Sequence, residues 1–348
     1  MKTRRKKLLE VEKTATTHPG LWLDKYIEEQ EKKDVENRSY KDQNKGKNRA
    51  DFVKEVATLH VPVMYEKFFE VWKMRLDDYG TQTREAQVRG RMIVGLGNES
   101  VLETSITLHH TYGVPYIPGS ALKGLAASYA DKRLGNDWKK GSDAYKVIFG
   151  DTNSAGYITF FDALYIPDSG HKHNGKAQAL YTDVITVHHQ KYYQDEINIP
   201  PADWDSPNPV PFLSATGKYL IALAAPDLGK DSKWIKKTFE LLRLALKEMG
   251  IGAKTSSGYG RMELEQEIDL DSPDIQDALR LKEEIDKMPD AEVSRRMQSS
   301  YFSRWAKMPS QEAKRIVARA IIEKVQKAGV EKTIGLQPWY KVILQSVG

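Results

Sequence analysis

A run of twelve residues, Met249-Gly250-Ile251-Gly252-Ala253-Lys254-Thr255-Ser256-Ser257-Gly258-Tyr259-Gly260, carries little side-chain bulk and many hydrogen-bond donors. What flanks it fixes its setting. Upstream, Ile235, Phe239, Leu242, Leu246 and Met249 recur at helical spacing, while Lys233, Lys236, Lys237, Arg243 and Lys247 fall on the other side. Ser232 to Met249 is therefore expected to be an amphipathic helix, and Tyr259 to Ile268 a strand. The run is a helix-to-strand turn. Gly250 or Gly252 can end the helix, and Gly258 and Gly260 can ease entry into the strand.

Three known glycine loops do not fit. A phosphate loop would need glycine where Glu248 and Ala253 stand, and it opens a helix instead of following one. A dinucleotide fingerprint needs the strand first and the helix second. Gly258-Tyr259-Gly260 matches part of an RNA-recognition strand, but Arg261 and Leu264 occupy the places of its base-stacking aromatics. What remains is a backbone able to approach another backbone closely, with its own N–H groups and Lys254, Thr255, Ser256 and Ser257 as donors. Such a surface suits phosphates and 2′-hydroxyls and reads no bases.

The rest of the chain sets the turn in an α+β frame. Residues 62–79 place Met64, Phe68, Val71, Trp72 and Leu76 on one helical face, a docked helix whose aromatics belong to a core. Residues 85–96 read as a strand, with Val88, Met92 and Val94 on one face and Arg89 and Arg91 on the other. Pro115 and Pro118 hold the next approach extended. Ser120 is placed to cap a helix from Ala121 to Leu134, closed by Gly135. Gly124 inside that helix costs about 1 kcal/mol relative to alanine, which implies a close neighbour or a ligand backbone. Residues 156–166, 180–188 and 217–225 read as strands, and five prolines from Pro200 to Pro211 predict a strand-free loop.

Strand, helix, two or more strands, helix, strand is the split βαβ order of a ferredoxin-like domain. It occupies residues 86–268. Residues 1–85 form an N-terminal extension whose segment 28–48 is almost wholly polar and is expected to be a mobile or loosely helical tether. After Asp269 only helical patterns occur. Ser272-Pro273 opens one, and Ser310 to Ala328 carries Ile316, Val317, Ala320, Ile321 and Val325 on one side, so 269–348 is read as a C-terminal helical extension.

Net charge is +5, but the excess is uneven. Residues 1–60 hold 15 basic against 11 acidic side chains, including the run Arg4-Arg5-Lys6-Lys7, read as a solvated terminus. Residues 61–268 hold 24 against 25, so any RNA site there must come from local arrangement. The absence of cysteine excludes disulfides and thiolate metal sites and fits a reducing cytoplasm. Leu8-Leu9 is too short for a leader and no later run is apolar enough to span a bilayer, so a soluble chain with no membrane partner is expected.

Histidine chemistry is weighed and declined. His109-His110 and His188-His189 are adjacent, and neighbours on a strand point to opposite faces, so neither pair can chelate one metal. His171 and His173 have only Asp168 at ligand spacing. His109, His110 or His188 could serve as an acid–base group for RNA cleavage. No catalytic residue, metal or cofactor is assigned.

"GIGAKTSSGYGRME" after an amphipathic helix resembles the C-terminal glycine-rich loop of the RAMP superfamily, the repeat-associated proteins of CRISPR systems. "YGVPYIPGSALKG" at 112–124, "DVITVHHQKYY" at 183–193 and "PVPFL" at 209–213 narrow the resemblance to the sixth-subunit family of the type III-B Cmr effector. The match covers residues 86–268. It implies a ferredoxin-like (RRM-like) core and a non-catalytic scaffold that binds the CRISPR guide RNA. Such a subunit caps the complex near the guide's 3′ end, beside the first and fourth subunit types and the small helical subunit, and meets target RNA only indirectly. Gly250, Gly252, Lys254, Thr255, Ser256, Ser257, Gly258, Gly260 and Arg261 would cradle the guide backbone, with Ser120 and Lys123 touching the same strand from a helix N-terminus. Some relatives in the superfamily cut RNA with a histidine, and the backbone subunits of type III complexes use an aspartate from an early loop. Here that loop, "GNESVLETS", offers only Glu99 and Glu103. The alternatives are an endoribonuclease that processes CRISPR transcripts or cuts targets, and a protein–protein adaptor. The resemblance leaves residues 1–85 and 269–348 without a role. Packing against a neighbouring subunit is the expectation for the tail.

Overall fold

A computed structural model describes residues 11–14, 16–26, 42–100, 104–173, 175–188, 192, 200–204, 207–225, 232–265 and 272–347. The run Arg4-Arg5-Lys6-Lys7, residues 28–41 of the polar segment, Glu103, His189 and residues 266–268 lie outside them. The chain divides into two compact units, residues 1–265 and 266–348.

The first unit is built on a mixed α/β frame with an antiparallel sheet. Its strands are β1 (Gln82–Val88), β2 (Tyr116–Ile117), β3 (Thr159–Phe160), β4 (Ala163–Tyr165), β9 (Lys218–Ala224) and β10 (Met262–Leu264). The order is β10-β1-β9-β4-β2, with β3 also on β9. Register is set by pairs such as Val88↔Met262 and Ala86↔Tyr219. Along β9 every residue from Tyr219 to Ala224 is buried, which marks a central strand covered on both faces.

Helices α1 (Pro19–Lys25), α2 (Asp42–Ala57), α3 (Val63–Asp78), α4 (Gly119–Arg133), α5 (Asp143–Phe149) and α6 (Lys233–Glu248) surround it. Trp22, Leu23, Val53, Val56, Tyr65 and Phe69 belong to the same apolar core as the sheet, so the described part of the N-terminal segment is integral to this unit. The Ser232 hydroxyl accepts from Trp234 N–H at the start of α6, whose buried stripe includes Ile235, Phe239, Leu242 and Leu246.

Several local expectations are corrected. On α3 the buried side chains are Tyr65, Phe69 and Leu76, with Trp72 half-buried, while Met64 and Val71 are exposed. Phe68, Trp72 and Leu76 of the expected stripe do face the core, and the buried face extends to Tyr65 and Phe69, with Tyr65 donating its hydroxyl proton to the Tyr165 carbonyl at 2.5 Å. β1 ends at Val88, and Met92 returns only as an isolated bridge to Ala215.

The proline segment is not strand-free. Asn208–Ala215 forms β8 and pairs with β7 (Leu180–Val187), Pro209 opposite Thr186 and Pro211 opposite Val184. Ala215 gives its N–H to Met92 at 2.7 Å, away from β7. By alternation, residues 209 and 211 aim theirs the same way, where proline loses no ladder bond. A short hairpin, β5 (His171–His173) and β6 (Lys176–Gln178), precedes this ribbon.

The second unit is helical. Helices α7 (Pro273–Lys287), α8 (Gln311–Lys327) and α9 (Pro338–Val347) enclose their own core, which includes Leu281, Ile285, Val317, Ile321, Val325 and Ile343. Ser310 caps α8 through Ala313 N–H, and Pro273 takes the first helical position of α7. No described helix is long and apolar enough to cross a membrane.

Candidate nucleic-acid interface

The glycine turn has a folded base and an open tip. At the base, Gly250 closes α6 with φ +75°, its N–H reaching the Ala245 carbonyl at 3.1 Å. Ile251 N–H then donates to Gly260 C=O at 2.9 Å and Gly260 N–H to Arg91 C=O at 2.8 Å, while Ala253 N–H donates to Ile93 C=O at 2.8 Å. The turn is laid against the chain that continues from β1. Here glycine is demanded by contact as well as by φ. A Cβ on Gly252 would sit 2.0 Å from the Ile93 oxygen, and one on Gly260 1.9 Å from the Ile251 oxygen. Gly250 and Gly260 are buried, so they act in the frame of the turn and offer nothing to a ligand.

The tip is different. Lys254 adopts a left-handed backbone, φ 56°, ψ 34°, and Thr255–Ser257 follow as a single 3-10 turn closed by Gly258 at φ +89°. Ser257, Gly258 and Tyr259 N–H groups fold back onto the Lys254 and Thr255 carbonyls. The N–H groups of Gly252, Lys254, Thr255 and Ser256 have no acceptor among the described residues. Ser256, Ser257 and Gly258 are exposed, and a Cβ on Gly258 would meet nothing within 4 Å. Apart from Asp168, Lys254 is the only non-glycine residue with positive φ among the described residues. A side chain there costs roughly 1–2 kcal/mol relative to glycine. Arg261 is partly committed, since its Nη1 donates to the Lys247 carbonyl at 3.2 Å on the last turn of α6.

A side-chain network with no signature in the sequence ties this turn to the β7–β8 ribbon. Tyr259 donates its hydroxyl proton to Asp183 Oδ2 at 2.6 Å, and Arg91 Nη1 reaches the same oxygen at 2.9 Å and the Thr182 carbonyl at 2.7 Å. The Arg91 guanidinium lies 3.8 Å from the Tyr181 ring centroid. Burial, together with the carboxylate that accepts its proton, pushes the Tyr259 hydroxyl up to about 12. Arg91, Asp183 and Tyr259 are 76 to 92 positions apart in pairs that touch, beyond any local sequence pattern.

Ser120 and Lys123 do not join the turn. No hydrogen bond or ion pair among the described residues links them to it. α4 begins at Gly119, with Pro118 at the cap position, so Ser120 sits exposed inside the first turn and is not the cap. The Gly119 N–H is already taken by Asp162 Oδ1 at 2.8 Å. Gly119 abuts Phe160, which pairs with Leu223, itself opposite Gln82 at the start of β1. The glycine turn lies beyond Val88 at the other end of that strand, about 20 Å along it at the usual rise per residue. Gly124 is exposed with open space around its Cα, so no element of this unit crowds it.

Two of the histidines, His18 and His109, are held by local contacts. His18 Nδ1 accepts from Leu21 N–H, which leaves Nε2 to donate to the His110 carbonyl at 2.9 Å. His109 packs on Phe68 and Tyr112, accepts from Thr111 N–H, and burial lowers its pKa against the opposing pull of Asp162. No group of three or more metal-ligating side chains gathers among the described residues.

Comparison with known proteins gives a consistent neighbourhood. The RAMP superfamily profile matches residues 85–263. The CRISPR system Cmr subunit Cmr6 of Pyrococcus furiosus is 31% identical over 254 residues, 57% of this chain and 72% of the relative. The CMR subunit Cmr6 of Saccharolobus solfataricus is 28% identical over 195 residues, 52% of this chain and 56% of that one. Among solved structures, a chain in the cryo-EM structure of the Type III-B Cmr-beta bound to cognate target RNA is similar at TM-score 0.48 and 22% identity, over 67% of this chain and 77% of that one. The crystal structure of Cmr6 from Pyrococcus furiosus is similar at TM-score 0.33 and 31% identity, over 53% of this chain and 97% of that one.

Proposed function

We propose a guide-RNA-binding role for this chain, which belongs to the RAMP superfamily and is a Cmr6-type subunit of a type III-B CRISPR system. In this reading it is a non-catalytic scaffold of the cytoplasmic effector. It caps the assembly near the 3′ end of the guide, beside other RAMP subunits and the small helical subunit, and meets target RNA only through the guide. Its first unit is ferredoxin-like, as the strand order β10-β1-β9-β4 and the placing of α4 and α6 between strands suggest.

The observation that carries the reading is the tip of the glycine turn. Four N–H groups, those of Gly252, Lys254, Thr255 and Ser256, have no acceptor among the described residues, and they lie at a lysine held in a left-handed backbone conformation, where glycine would be cheaper. Amides and an ammonium on an open tip suit a phosphate or a 2′-hydroxyl and leave bases unread. The test is guide retention in the assembled complex at two salt concentrations, wild type against Lys254→Ala with Arg261→Ala. Retention should fall and its salt dependence flatten. Unchanged retention at both salts would leave the turn as a plain connection.

A further inference from the structure

We propose that the ribose-phosphate path continues from the glycine turn over the C-terminal ends of α6 and α4, along a strip of cations formed by Lys254, Arg261, Lys247, Arg243, Arg133 and Lys132. This rests on the RNA reading of the turn. Adjacency along the strip follows from contacts. Arg261 Nη1 donates to the Lys247 carbonyl, and Arg243 lies one helical turn before Lys247 on the same face. Glu248 accepts the Tyr129 hydroxyl proton at 3.0 Å, which fastens the last turn of α6 to α4. Arg133 stands one turn beyond Tyr129, and both Arg133 and Arg243 bear on that hydroxyl.

The charges on this strip are not neutralised, although Arg261 spends one N–H on the Lys247 carbonyl. Lys132, Arg133, Arg243, Lys247, Lys254 and Arg261 form no ion pair with any described residue. Lys237 pairs with Glu240 at 2.8 Å and Arg89 with Glu263 at 2.7 Å, while Lys67, Lys123 and Lys146 are as unpaired as the strip, so what sets the strip apart is its continuity with the turn. Complementing the helix dipole explains cations in a last turn, and Lys132, Arg133 and Lys247 sit there. It does not reach Arg243, a turn earlier, or Lys254 and Arg261, outside the helices. A row of free cations continuous with a side-chain-poor turn matches a polyanion of regular charge spacing. An acidic protein surface would have no need of the open amides at one end of the row.

Labelled oligouridylates of about 6 and about 20 nucleotides, bracketing the usual single-strand site sizes, separate the turn from the strip. They are bound to the full chain, to Lys254→Ala, and to the triple variant Arg133→Ala, Arg243→Ala, Lys247→Ala. The triple variant should bind the short RNA as wild type does, lose the gain in affinity that length gives, and lower the salt slope for the long RNA by about two. A charge-keeping triple, Arg133→Lys, Arg243→Lys, Lys247→Arg, should restore that slope. Wild-type affinity and slope of the alanine triple for the long RNA, with Lys254→Ala weakening both RNAs, would overturn the strip and keep the turn. A loss in the triple with none in Lys254→Ala would uphold the strip as an RNA surface and overturn the reading of the turn.

Discussion

The glycine turn and the start of α4 look alike in sequence, each a glycine and small hydroxyl residues next to a lysine, yet their backbone N–H groups go to different places. At α4 the first N–H is satisfied inside the unit by Asp162 Oδ1. Ala121 and Leu122 N–H turn back to the Pro118 carbonyl, so of the first four N–H groups of this helix only that of Ser120 is without an acceptor among the described residues. At the turn, the buried base uses its N–H groups on Ala245, Arg91, Ile93 and Gly260 carbonyls, while those of Gly252, Lys254, Thr255 and Ser256 are left over. The two stretches therefore differ in how many of their donors end inside the unit, which residue type alone does not tell.

The contrast inside the turn breaks first. Gly260→Ala adds a left-handed penalty of roughly 1–2 kcal/mol to a backbone collision, and overpacking of this kind costs about 1–3 kcal/mol. Gly258→Ala, in open space, should cost only the left-handed penalty of roughly 1–2 kcal/mol, without the collision. Urea midpoints measure both, and equal losses would erase the division into base and tip.

The next effect is on RNA. Removing Lys254 and Arg261 together should lower the salt slope of guide binding by about 1.4, at about 0.7 for each single-strand phosphate contact, while Ser120→Ala with Lys123→Ala leaves it in place. A slope that falls only in the α4 pair would invert the comparison. Asp162→Ala sharpens it from the other side. Loss of a cap should cost about 1 kcal/mol of stability with no gain in RNA affinity, whereas tighter RNA binding would mean that the freed helix start takes a phosphate.

The smallest effect belongs to the network behind the turn. Tyr259 is pushed up to about 12 in the folded chain from an ordinary value of 10.0. Its hydrogen bond therefore stabilises fully below pH 10, and that contribution disappears as pH rises through 12. Tyr259→Phe should cost about 1 kcal/mol at pH 8 and progressively less above pH 10, read from unfolding midpoints at the two pH values. A constant difference would separate Tyr259 from Asp183.

Much of the frame was legible. The apolar stripe of α6 and the starts of α6 near Ser232 and of α8 near Ser310 are local features, and local features survive folding. The burial of Tyr65 on α3 was not, because its partner is a carbonyl a hundred positions away. Prolines 209 and 211 concealed a strand, since only the pairing shows which way a residue's N–H points. At the site, glycine spacing marked the turn and Lys254 its centre. The split between spent and unspent N–H groups depends on Arg91 and Ile93, and the link to Asp183 depends on a ribbon that approaches only in three dimensions.

Photo-cross-linking of 4-thiouridine-labelled guide RNA in the assembled effector, followed by mass spectrometry of the adducts, reads the central claim at the level of residues. Adducts on the peptide spanning Lys254 to Gly258, with none on the peptide from Gly119 to Lys123, are the expected result. Adducts confined to other surfaces, with the turn peptide recovered unmodified, would contradict it.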